Sequence, residues 1–509
     1  MAVARVACRA QVGLHAPLVQ VEVSLASGLP AFCIVGLPAT VVKEAKERVR
    51  AALLNSRFEF PAGRITVSLA PAELPKEGGR FDLPIALGIL LASGQIRAPA
   101  PAPAGREAVR EFYGELGLNG ELKPVHGLLL AAAHARAAGH EIIVPHGNAA
   151  EARAVAPQQV RAAGHLLEVC AHLSGAAPLA AGCASARGVS SAPARLDLGD
   201  VRGQLHAKRA LIIAAAGAHS LLMIGPPGAG KSMLAQRLPG LLPPLSEAEA
   251  LEVAAVAAAS AGGFAAGCFG ERPFRAPHHS ASVAALVGGG ARALPGEVSL
   301  AHHGVLFLDA LPEFARPALE ALREPLESGT VAVSRAALLA RYPAAFQLIA
   351  AMNPCPCGRL GDPSGLCGCT PAQVRRYRGR LSGPLLDRID MQVEVPRITA
   401  GEFGAAPDTP ETTATAAARV ARARALQHAR QGSCNARLTD AGVGRWCLAD
   451  EAGARLLEDA MRKFALSGRV RQRLLKVART IADLAGAPAL TAAHIGEALT
   501  LRSLDRGAF

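Results

Sequence analysis

The sequence predicts an α/β protein whose central part is a parallel sheet. Mostly apolar runs that end in polar residues, at 221–224, 305–309, 346–353 and 391–396, are typical of strands covered on both faces. Before them, short strand-like runs alternate with helical stretches, and beyond residue 400 the patterns are helical. We therefore expect a mixed α/β module, a parallel-sheet module and a helical module, in that order.

The N-terminal module has the pattern of an α+β domain. VQVEVSL (19–25) and RITVSLAP (64–71) alternate as strands do, and ATVVKEAKERVRAALLNS (39–56) has helical spacing. A stretch rich in small residues then separates this module from a region of different pattern, and its composition predicts a linker. The predicted domains are 1–180, a linker at 181–199, a core at 200–400 and a helical lid at 401–509.

Two long helices are predicted in the lid. TATAAARVARARALQHARQG (413–432) and SGRVRQRLLKVARTIADLAG (467–486) both have helical spacing, and both end in Gly, a common helix terminator. The chain has no repeat of fixed period.

The charge balance favours a polyanionic partner. Lys and Arg number 54 against 41 Asp and Glu, which gives a net charge of +13. Nucleic acid is the first candidate and an anionic membrane the second, although an Arg-rich proteome would produce the same balance. Apolar runs fall short of the roughly 18 residues of a membrane span, and the N-terminus lacks a signal core. We therefore expect a cytoplasmic protein.

The segment GPPGAGKS (225–232) matches the phosphate-binding pattern G-x-x-x-x-G-K-[ST] in full. An apolar strand precedes it and a helical run follows, so backbone N–H groups would meet phosphates at a helix N-terminus. Lys231 is expected to reach the β- and γ-phosphates, and Ser232 to ligate Mg²⁺. The glycines of the loop are Gly225, Gly228 and Gly230.

Polar residues also end two neighbouring predicted strands. Asp309 closes VLFLD, where a carboxylate can hold the Mg²⁺ shell. Asn353 closes FQLIAAMN and is placed to orient an attacking water, or alternatively to form a turn before Pro354. Three strand ends would then converge on one phosphate site.

Six segments along the chain form a distinctive set. They are GPPGAGKS, RPFRAPHHSAS (272–282), PGEVSLAHHGVLFLD (295–309), AAMNPCPCG (350–358), RYRGRLSGPLLDRID (376–390) and KVARTIADLAG (476–486). This set closely resembles the ComM/YifB family of AAA+ ATPases, which are related to the magnesium-chelatase motor subunit. The resemblance extends from about residue 5 to about residue 503. It implies a ring-forming, hexameric DNA helicase that promotes branch migration during natural transformation.

The resemblance also implies residue roles at the nucleotide. Lys231 and Ser232 match the Walker A positions, Asp309 matches the Walker B acid, and Asn353 matches sensor 1. ATP and Mg²⁺ are the implied cofactors.

Two arginine roles are implied as well. Arg388, in LLDRID, matches the arginine finger that reaches the γ-phosphate of a neighbouring subunit, where a guanidinium neutralises developing charge. The alternative for Arg388 is a local salt bridge to Asp387 or Asp390. Arg469 matches sensor 2, and Arg471 is the alternative.

The sequence departs from the family pattern VLFLDE at Ala310. An alanine can neither accept a proton nor orient water, and loss of a positioned base typically lowers a rate by roughly 10²–10⁴. Nucleotide binding should survive, since Lys231 and Asp309 remain. Glu313 follows within one turn, but Pro312 makes it a poor replacement. An introduced change that traps the ATP-bound ring and a natural loss of hydrolysis both explain Ala310, and the intact surroundings favour the first.

Residues 69–95 and 114–139 resemble the proteolytic domain of Lon-type proteases. Such enzymes need a Ser nucleophile beside a Lys base, but the matching positions carry Arg80 and Leu129. The nearby Lys76 and Lys123 are interpreted as solvated charges. The module is therefore predicted to be an interaction or DNA-engaging collar that lacks the Ser-Lys dyad.

Four cysteines cluster in CPCGRLGDPSGLCGC. They are Cys355, Cys357, Cys367 and Cys369. Four thiolates within a short flexible segment suit a tetrahedral structural Zn²⁺, and four free thiols are the alternative. A zinc ion here would pin the loop that follows Asn353.

Basic loops are the candidate DNA contacts. A Gly-rich insertion (285–297), flanked by the pairs His278–His279 and His302–His303, is predicted to face the ring channel or a neighbouring subunit. A second candidate is the stretch 334–343, and the run RRYRGR (375–380) is equally well explained as a solvated face. The candidate phosphate-contacting residues are Arg275, Arg292, Arg335 and Arg341. Such contacts would be independent of sequence and sensitive to salt.

These predictions combine into one function. We expect an ATP-dependent hexameric DNA helicase that promotes branch migration in homologous recombination, with hydrolysis impaired by Ala310. Its expected partners are single-stranded and branched DNA, further copies of the chain, and recombination proteins. The alternatives are a metal-chelatase-type motor subunit, an ATP-dependent protease and a passive DNA-binding ring.

Overall fold

The computed structural model describes residues 2–36, 40–74, 76, 78–97, 109–180, 196–290, 293–335, 338–361, 365–397, 411–502 and 504. The chain divides into two compact units. The first comprises residues 1–190 with 250–270, and the second comprises 191–249 with 271–509. The predicted division into collar, core and lid remains a prediction.

The first unit is a mixed α/β structure. Its strands are β1 (Ala2–Arg9), β2 (Leu18–Ala26), β3 (Ala31–Val35), β4 (Arg64–Ala70), β5 (Arg110–Phe112), β6 (Glu115–Leu116), β7 (Leu122–Lys123), β8 (Glu141–Pro145) and β9 (Val160–Ala163). Its helices are α1 (Thr40–Asn55), α2 (Asp82–Ala92), α3 (Leu128–Ala138), α4 (Ala149–Val155) and α5 (Leu166–Leu173).

Seven of these strands form one sheet in the order β3-β4-β2-β1-β5-β8-β9. Strand β2 pairs antiparallel with β1 and β4, and the other neighbours pair in parallel. Helix α2 is almost entirely buried because it packs directly on β1 and β2. A Cβ added at Gly88 would lie 2.4 Å from Val23 Cγ2, so glycine permits this close approach.

Buried charge is concentrated around one carboxylate of this sheet. Glu111 is fully buried, and Arg9 donates to both of its oxygens over 2.8–3.0 Å. Tyr113 donates its hydroxyl to Glu111 at 2.6 Å, and His140 Nδ1 lies 2.6 Å from the same group. Because each partner satisfies the others, removal of one would leave an uncompensated buried charge.

The second unit begins with helix α6 and ends with a group of helices. Its strands are β10 (Leu221–Ile224), β11 (Phe274–Arg275), β12 (Gly288–Gly289), β13 (Leu294–Pro295), β14 (Val305–Leu308), β15 (Thr330–Arg335), β16 (Leu338–Pro343), β17 (Gln347–Met352) and β18 (Met391–Glu394). Its first helices are α6 (Leu205–Gly217), α7 (Lys231–Leu241), α8 (Glu247–Ala259, in the first unit from residue 250), α9 (Val283–Val287), α10 (Glu297–Leu300), α11 (Arg316–Glu320), α12 (Arg323–Ser328), α13 (Pro371–Arg378) and α14 (Gly383–Leu386). The last helices are α15 (Thr413–Gln431), α16 (Asp440–Trp446), α17 (Glu451–Phe464), α18 (Gly468–Ala485) and α19 (Ala492–Thr500).

The predicted parallel sheet is confirmed. Five strands pair in the order β11-β14-β17-β10-β18, and every neighbouring pair is parallel. All residues of β10, β14 and β17 are buried, which explains their continuous apolar sequences. The sequence did not predict the short edge strand β11, nor the separate hairpins β12–β13 and β15–β16.

The predicted helices of the C-terminal part are confirmed too. Helices α15 and α18 both end at a glycine in the left-handed region, Gly432 at φ +75° and Gly486 at φ +69°. That conformation favours glycine and closes a helix C-terminus. Among the described residues, no helix combines the length and the apolar character that a membrane crossing requires.

The Glu111 cluster gives a stability prediction. We expect Glu111→Gln to lower the free energy of unfolding of the first unit by about 3–5 kcal/mol, because it leaves the Arg9 charge buried without a counter-charge. Urea unfolding followed by far-UV circular dichroism would measure it. Trp446, the sole tryptophan, lies in the second unit. An unfolding transition that is seen by circular dichroism but not by tryptophan fluorescence therefore belongs to the first unit.

Glu22→Gln is the matched control. Glu22 pairs with Arg5 on neighbouring strands of the same sheet, but the side chains are 34% and 70% exposed. That change should alter the free energy by less than about 1 kcal/mol. Equal effects of the two changes would contradict the assignment.

Candidate nucleotide site

The phosphate-binding segment joins the end of β10 to the start of α7. Gly228 and Gly230 have φ of +77° and +92°, a conformation that side chains with a Cβ rarely adopt. A Cβ at Gly225 would lie 2.1 Å from the Val395 carbonyl oxygen, so this glycine allows two backbone segments to touch. The backbone conformation or close packing of the loop thus requires each of these glycines. Helix α7 begins at Lys231.

The Lys231 amino group lies at the mouth of this loop. It donates to the carbonyls of Gly225 at 2.7 Å and Pro226 at 2.9 Å, and to Asn353 Oδ1 at 3.3 Å. Burial lowers the pKa of Lys231, while the nearby Asp309 opposes that shift. These neutral acceptors could be exchanged for phosphate oxygens without moving the backbone.

Ser232 and Asp309 provide an oxygen pair beside the lysine. The Ser232 hydroxyl donates to Asp309 Oδ2 at 2.9 Å, and the other carboxylate oxygen accepts the Ala310 backbone N–H at 2.8 Å. Hydroxyl and carboxylate oxygens are the ligands that Mg²⁺ prefers, usually together with phosphate oxygens. The pair therefore has the chemistry of a Mg²⁺–nucleotide site.

An open cavity of about 440 Å³ lies over the loop. Residues 227–233 line it, together with Asp309, Ala310, Met352 and Asn353. The structure thus brings together the predicted loop, the predicted acid and the predicted asparagine, each at the carboxyl end of a parallel strand. Met352 is a lining residue that the sequence did not single out.

Ala310 lines this cavity and has a left-handed backbone, with φ of +52°. Its methyl group offers no acceptor for a proton. Glu313 lies one turn further on, but its carboxylate pairs with Arg380 at 2.7 Å. Of the described residues that line the cavity, Asp309 is the only carboxylate.

Arg388 does not line the cavity of its own chain. Its side chain is only 9% exposed, and its guanidinium pairs with Glu327 and donates to the Pro384 carbonyl at 2.7 Å. The alternative prediction, a salt bridge from Arg388 to Asp387 or Asp390, was wrong, since the acid that Arg388 contacts lies in helix α12. Glu327 was missed because no local sequence pattern links it to a residue 61 positions away.

A buried network anchors the backbone around Arg388. Asp390 accepts hydrogen bonds from the Ser220 N–H at 2.9 Å and the Ser220 hydroxyl at 3.1 Å, and it pairs with Arg473 of α18. Burial alone would raise the pKa of Asp390, but His219, whose Nδ1 lies 3.5 Å from Asp390 Oδ2, and the Arg473 charge hold it below its usual range. The network ties the start of β10 to helix α18.

The predicted sensor 2 residue is not at this cavity. Arg469 and its alternative Arg471 lie in the first turn of α18, and both are exposed. Within the described part of the chain, neither makes an ion pair. Their roles remain predictions.

Gln204 is a site residue that the sequence analysis missed. Its amide donates to the Ala229 carbonyl of the phosphate loop at 3.2 Å and to the Pro396 carbonyl at 2.6 Å. It therefore braces the loop from the segment before α6. The available signal was a Gly-Gln pair directly before a helical run.

The four cysteines predicted to bind zinc do come together. Their sulfurs all lie within 4.8 Å of one another. Cys355 Sγ lies 3.4 Å from Cys357 Sγ and 3.8 Å from Cys367 Sγ, and the last two are 3.7 Å apart. A tetrahedral ion with Zn–S bonds of about 2.3 Å would separate its sulfurs by about 3.8 Å. The donor set therefore fits zinc.

The cysteine loop packs against the phosphate loop. A Cβ at Gly358, which has φ of +77°, would lie 2.6 Å from Pro227 Cδ. Arg378 donates to the Pro354 carbonyl at 3.2 and 3.1 Å, which fixes the chain between Asn353 and Cys355.

The candidate DNA contacts have mixed surroundings. Arg275 pairs with Glu297 at 2.6 and 2.8 Å, so its charge is already neutralised within the chain. Arg341 is exposed on β16. Arg292 lies outside the described residues, as does the side chain of Arg335.

The histidine pairs also differ. His278 and His279 are exposed, as the predicted position beside a channel requires. The same prediction was wrong for His302, which is 3% exposed and accepts the Ala345 backbone N–H at 3.0 Å. His302 therefore supports the chain locally.

At the protease-like positions of the first unit, the side chains are structural. Arg80 is 6% exposed and donates to the His126 carbonyl at 2.5 Å, and Leu129 is fully buried. The interpretation of Lys76 as a solvated charge was wrong. It is fully buried and donates to the Pro71 carbonyl, and burial lowers its pKa.

Comparison with known proteins assigns the chain to a family. Residues 197–403 match the family described as magnesium chelatase, subunit ChlI, residues 21–148 match subunit ChlI of Mg-chelatase, and residues 410–502 match the C-terminal part of that subunit.

Full-length relatives are more similar still. The chain is 49% identical to the uncharacterized protein YifB of Salmonella typhimurium, over 99% of this chain and 98% of the relative. It is 48% identical to the competence protein ComM of Haemophilus influenzae over the same shares, and 43% identical to a Mycobacterium tuberculosis protein over 99% of both. The chain therefore belongs to the ComM/YifB family of magnesium-chelatase-like AAA+ proteins.

Proposed function

We propose that this protein is an ATP-dependent DNA motor, a hexameric helicase that promotes branch migration in homologous recombination during natural transformation. The observation that carries the ATP part is the set of contacts Lys231–Asn353 and Ser232–Asp309 at the mouth of one cavity. The DNA part is supported by 48% identity to a competence protein and by the net charge of +13. We further propose that it acts in the cytoplasm.

Each residue of the cavity has a chemical role in this proposal. The loop N–H groups and Lys231 bind the phosphates, while Ser232 and Asp309 hold Mg²⁺. Mg²⁺ supplies charge neutralisation between the β- and γ-phosphates. Asn353 orients the attacking water, and Arg388 of the neighbouring subunit offsets charge that develops on the transferred phosphoryl group.

Hydrolysis in this chain is proposed to be slow. The position from which a carboxylate would orient water carries Ala310, and the carboxylate of Glu313 is engaged by Arg380. Binding of ATP would be retained because none of the phosphate- or Mg²⁺-binding groups is changed. The expected state is an ATP-bound ring that turns over rarely.

DNA contact is proposed to come from the hairpin β15–β16 and the insertion after α9. Arg341 is the exposed cation on the hairpin, and the proposal also includes Arg335 and Arg292. Arg275 would have to exchange Glu297 for a phosphate. Single-stranded and branched DNA and recombination proteins are the proposed partners.

A structural zinc ion is the further proposed cofactor. The three sulfur separations of 3.4–3.8 Å support it. Zinc at Cys355, Cys357, Cys367 and Cys369 would hold the two ends of this Gly-rich segment together. It would supply structure and no chemistry to ATP.

A metal-chelatase-type motor subunit is the second candidate. The descriptions of the three matching families favour it. It would use the same ATP site, so the two candidates differ in what the motor acts upon. A chelatase motor should drive Mg²⁺ insertion into a porphyrin by its partner subunits, and it should be indifferent to branched DNA.

Restoring the acid tests the ATPase. We expect Ala310→Glu to raise ATP turnover by about 10²–10⁴, because it returns a base beside the γ-phosphate position. A coupled phosphate-release assay would measure it, and Lys231→Ala in the glutamate background should abolish the gain. No increase in turnover would contradict the assignment of position 310.

The same glutamate variant tests the DNA part. Unwinding of a fluorescently labelled branched DNA should appear with the variant and be weak with the parent chain. If turnover rises but branched DNA stays intact, the helicase proposal fails while the ATPase proposal stands. Porphyrin metallation in the same preparation would then favour the chelatase candidate.

Metal analysis tests the zinc site. We expect one zinc per chain, and Cys355→Ser should lose it because the remaining thiolates cannot complete a tetrahedron. Cys268→Ser is the control, since Cys268 is exposed and outside the cluster. A purified chain that neither contains zinc nor takes it up would leave four free thiols as the correct interpretation.

A further inference from the structure

Arg388, whose guanidinium is proposed to act on a neighbouring subunit, is almost fully buried within its own chain. Arg388 is only 9% exposed, its Nη2 pairs with Glu327, and its Nη1 donates to the Pro384 carbonyl. Its Nε–H is buried and finds no acceptor within the part of the chain that the structure describes. A buried donor left without an acceptor is unfavourable, so this arrangement is held mainly by the ion pair with Glu327.

The backbone below this side chain is fixed. The Arg388 carbonyl accepts from the Ser220 hydroxyl at 3.1 Å and from Arg473 at 3.0 Å. The next carbonyl, of Ile389, accepts from Arg502 at 2.7 Å. The side chain of Arg388 can therefore move without breaking the network between the sheet and helix α18, and among the described residues its ionic partner is Glu327.

We propose that Glu327 is a positioning residue that retains Arg388 and competes for it with the γ-phosphate bound to the adjoining subunit. This inference rests on the proposed function, in which Arg388 reaches that phosphate. A γ-phosphate carries more negative charge than a carboxylate and has several acceptor oxygens, so it could also accept a hydrogen bond from the Nε–H of Arg388. ATP in one subunit would then release the arginine of the next and join the two.

The exposure of the Arg388–Glu327 pair suits an exchange of Glu327 for another anion. Glu327 is 54% exposed while Arg388 is 9% exposed, so one side of the pair is solvated. A half-exposed pair contributes little compared with a buried one. Glu327 can return to water at small cost, and the guanidinium passes from one anion to another without being left unpaired.

Glu327 also lies where the hairpin proposed to touch DNA begins. Helix α12 ends at Ser328 and β15 begins at Thr330. The Gly329 carbonyl between them accepts the Ala344 N–H at 2.7 Å, so the two ends of the β15–β16 hairpin meet here. A displacement of the hairpin base would therefore shift Glu327, which gives DNA a direct route to the same arginine.

The chain as it exists suits the test, because Ala310 lets ATP bind with little hydrolysis. The ATP concentration at half-maximal assembly would be measured by mass photometry for the parent chain and for Glu327→Gln. Glu324→Gln is the matched control, an exposed acid of the same helix without an ion pair among the described residues. Arg388→Ala and the double variant Glu327→Gln/Arg388→Ala complete a cycle. Thermal unfolding and binding of a fluorescent ATP analogue to the monomer would verify that each variant is folded.

We expect Glu327→Gln to assemble at about fivefold lower ATP, the factor that corresponds to loss of a partly exposed ion pair. Glu324→Gln should match the parent, and the double variant Glu327→Gln/Arg388→Ala should assemble no better than Arg388→Ala alone. An unchanged or higher ATP requirement for Glu327→Gln, with assembly lost in Arg388→Ala, overturns the retention role alone. Assembly of Arg388→Ala at the parent's ATP concentration would overturn the role of Arg388, and with it the shared site of the proposed function.

Discussion

The parallel direction of three adjacent strands is the constraint on which the nucleotide site depends. Because β14, β17 and β10 run side by side in the same direction, their carboxyl ends open on one edge of the sheet. The residues that follow them, Asp309, Asn353 and the phosphate loop, need no further device to be neighbours. A register shift of one strand would carry an acid or an amide about 3 Å away from the lysine and break the 3.3 Å contact between Lys231 and Asn353.

Two further sets of contacts support the strands and the phosphate loop at this edge of the sheet. Gln204 and the cysteine loop support the phosphate loop from outside the sheet. Asp390, with Ser220 and Arg473, ties the opposite end of β10 to helix α18. The ATP cavity therefore lies between elements that are far apart in sequence, which is the arrangement expected of a site that must transmit a local change to other parts of the chain.

Much of this could be predicted from the sequence, for a definable reason. The apolar runs at 221–224 and 305–309 have the composition of strands that are covered on both faces. The segment GPPGAGKS constrains its own backbone through its glycines. The four cysteines also come together as their spacing suggested. In each of these cases, the signal is contained in neighbouring residues.

The residues that sequence reasoning missed or misjudged depend on contacts over long separations. Glu327 of helix α12 meets Arg388, which lies 61 positions further along the chain, and Lys76 is fully buried despite its charge. His302 resembled a surface residue until its acceptor role toward Ala345 was known. A charged residue carries the same sequence signal whether it is solvated or enclosed, so burial had to come from the structure.

The contact between Gly358 and Pro227 has an implication for the way in which the two loops can vary. A Cβ at position 358 would lie 2.6 Å from Pro227 Cδ, which is a steric clash, and the rigid proline ring cannot rotate away. The cysteine loop and the phosphate loop are thus sterically interlocked, and an alteration in the curvature of one must be matched by the other.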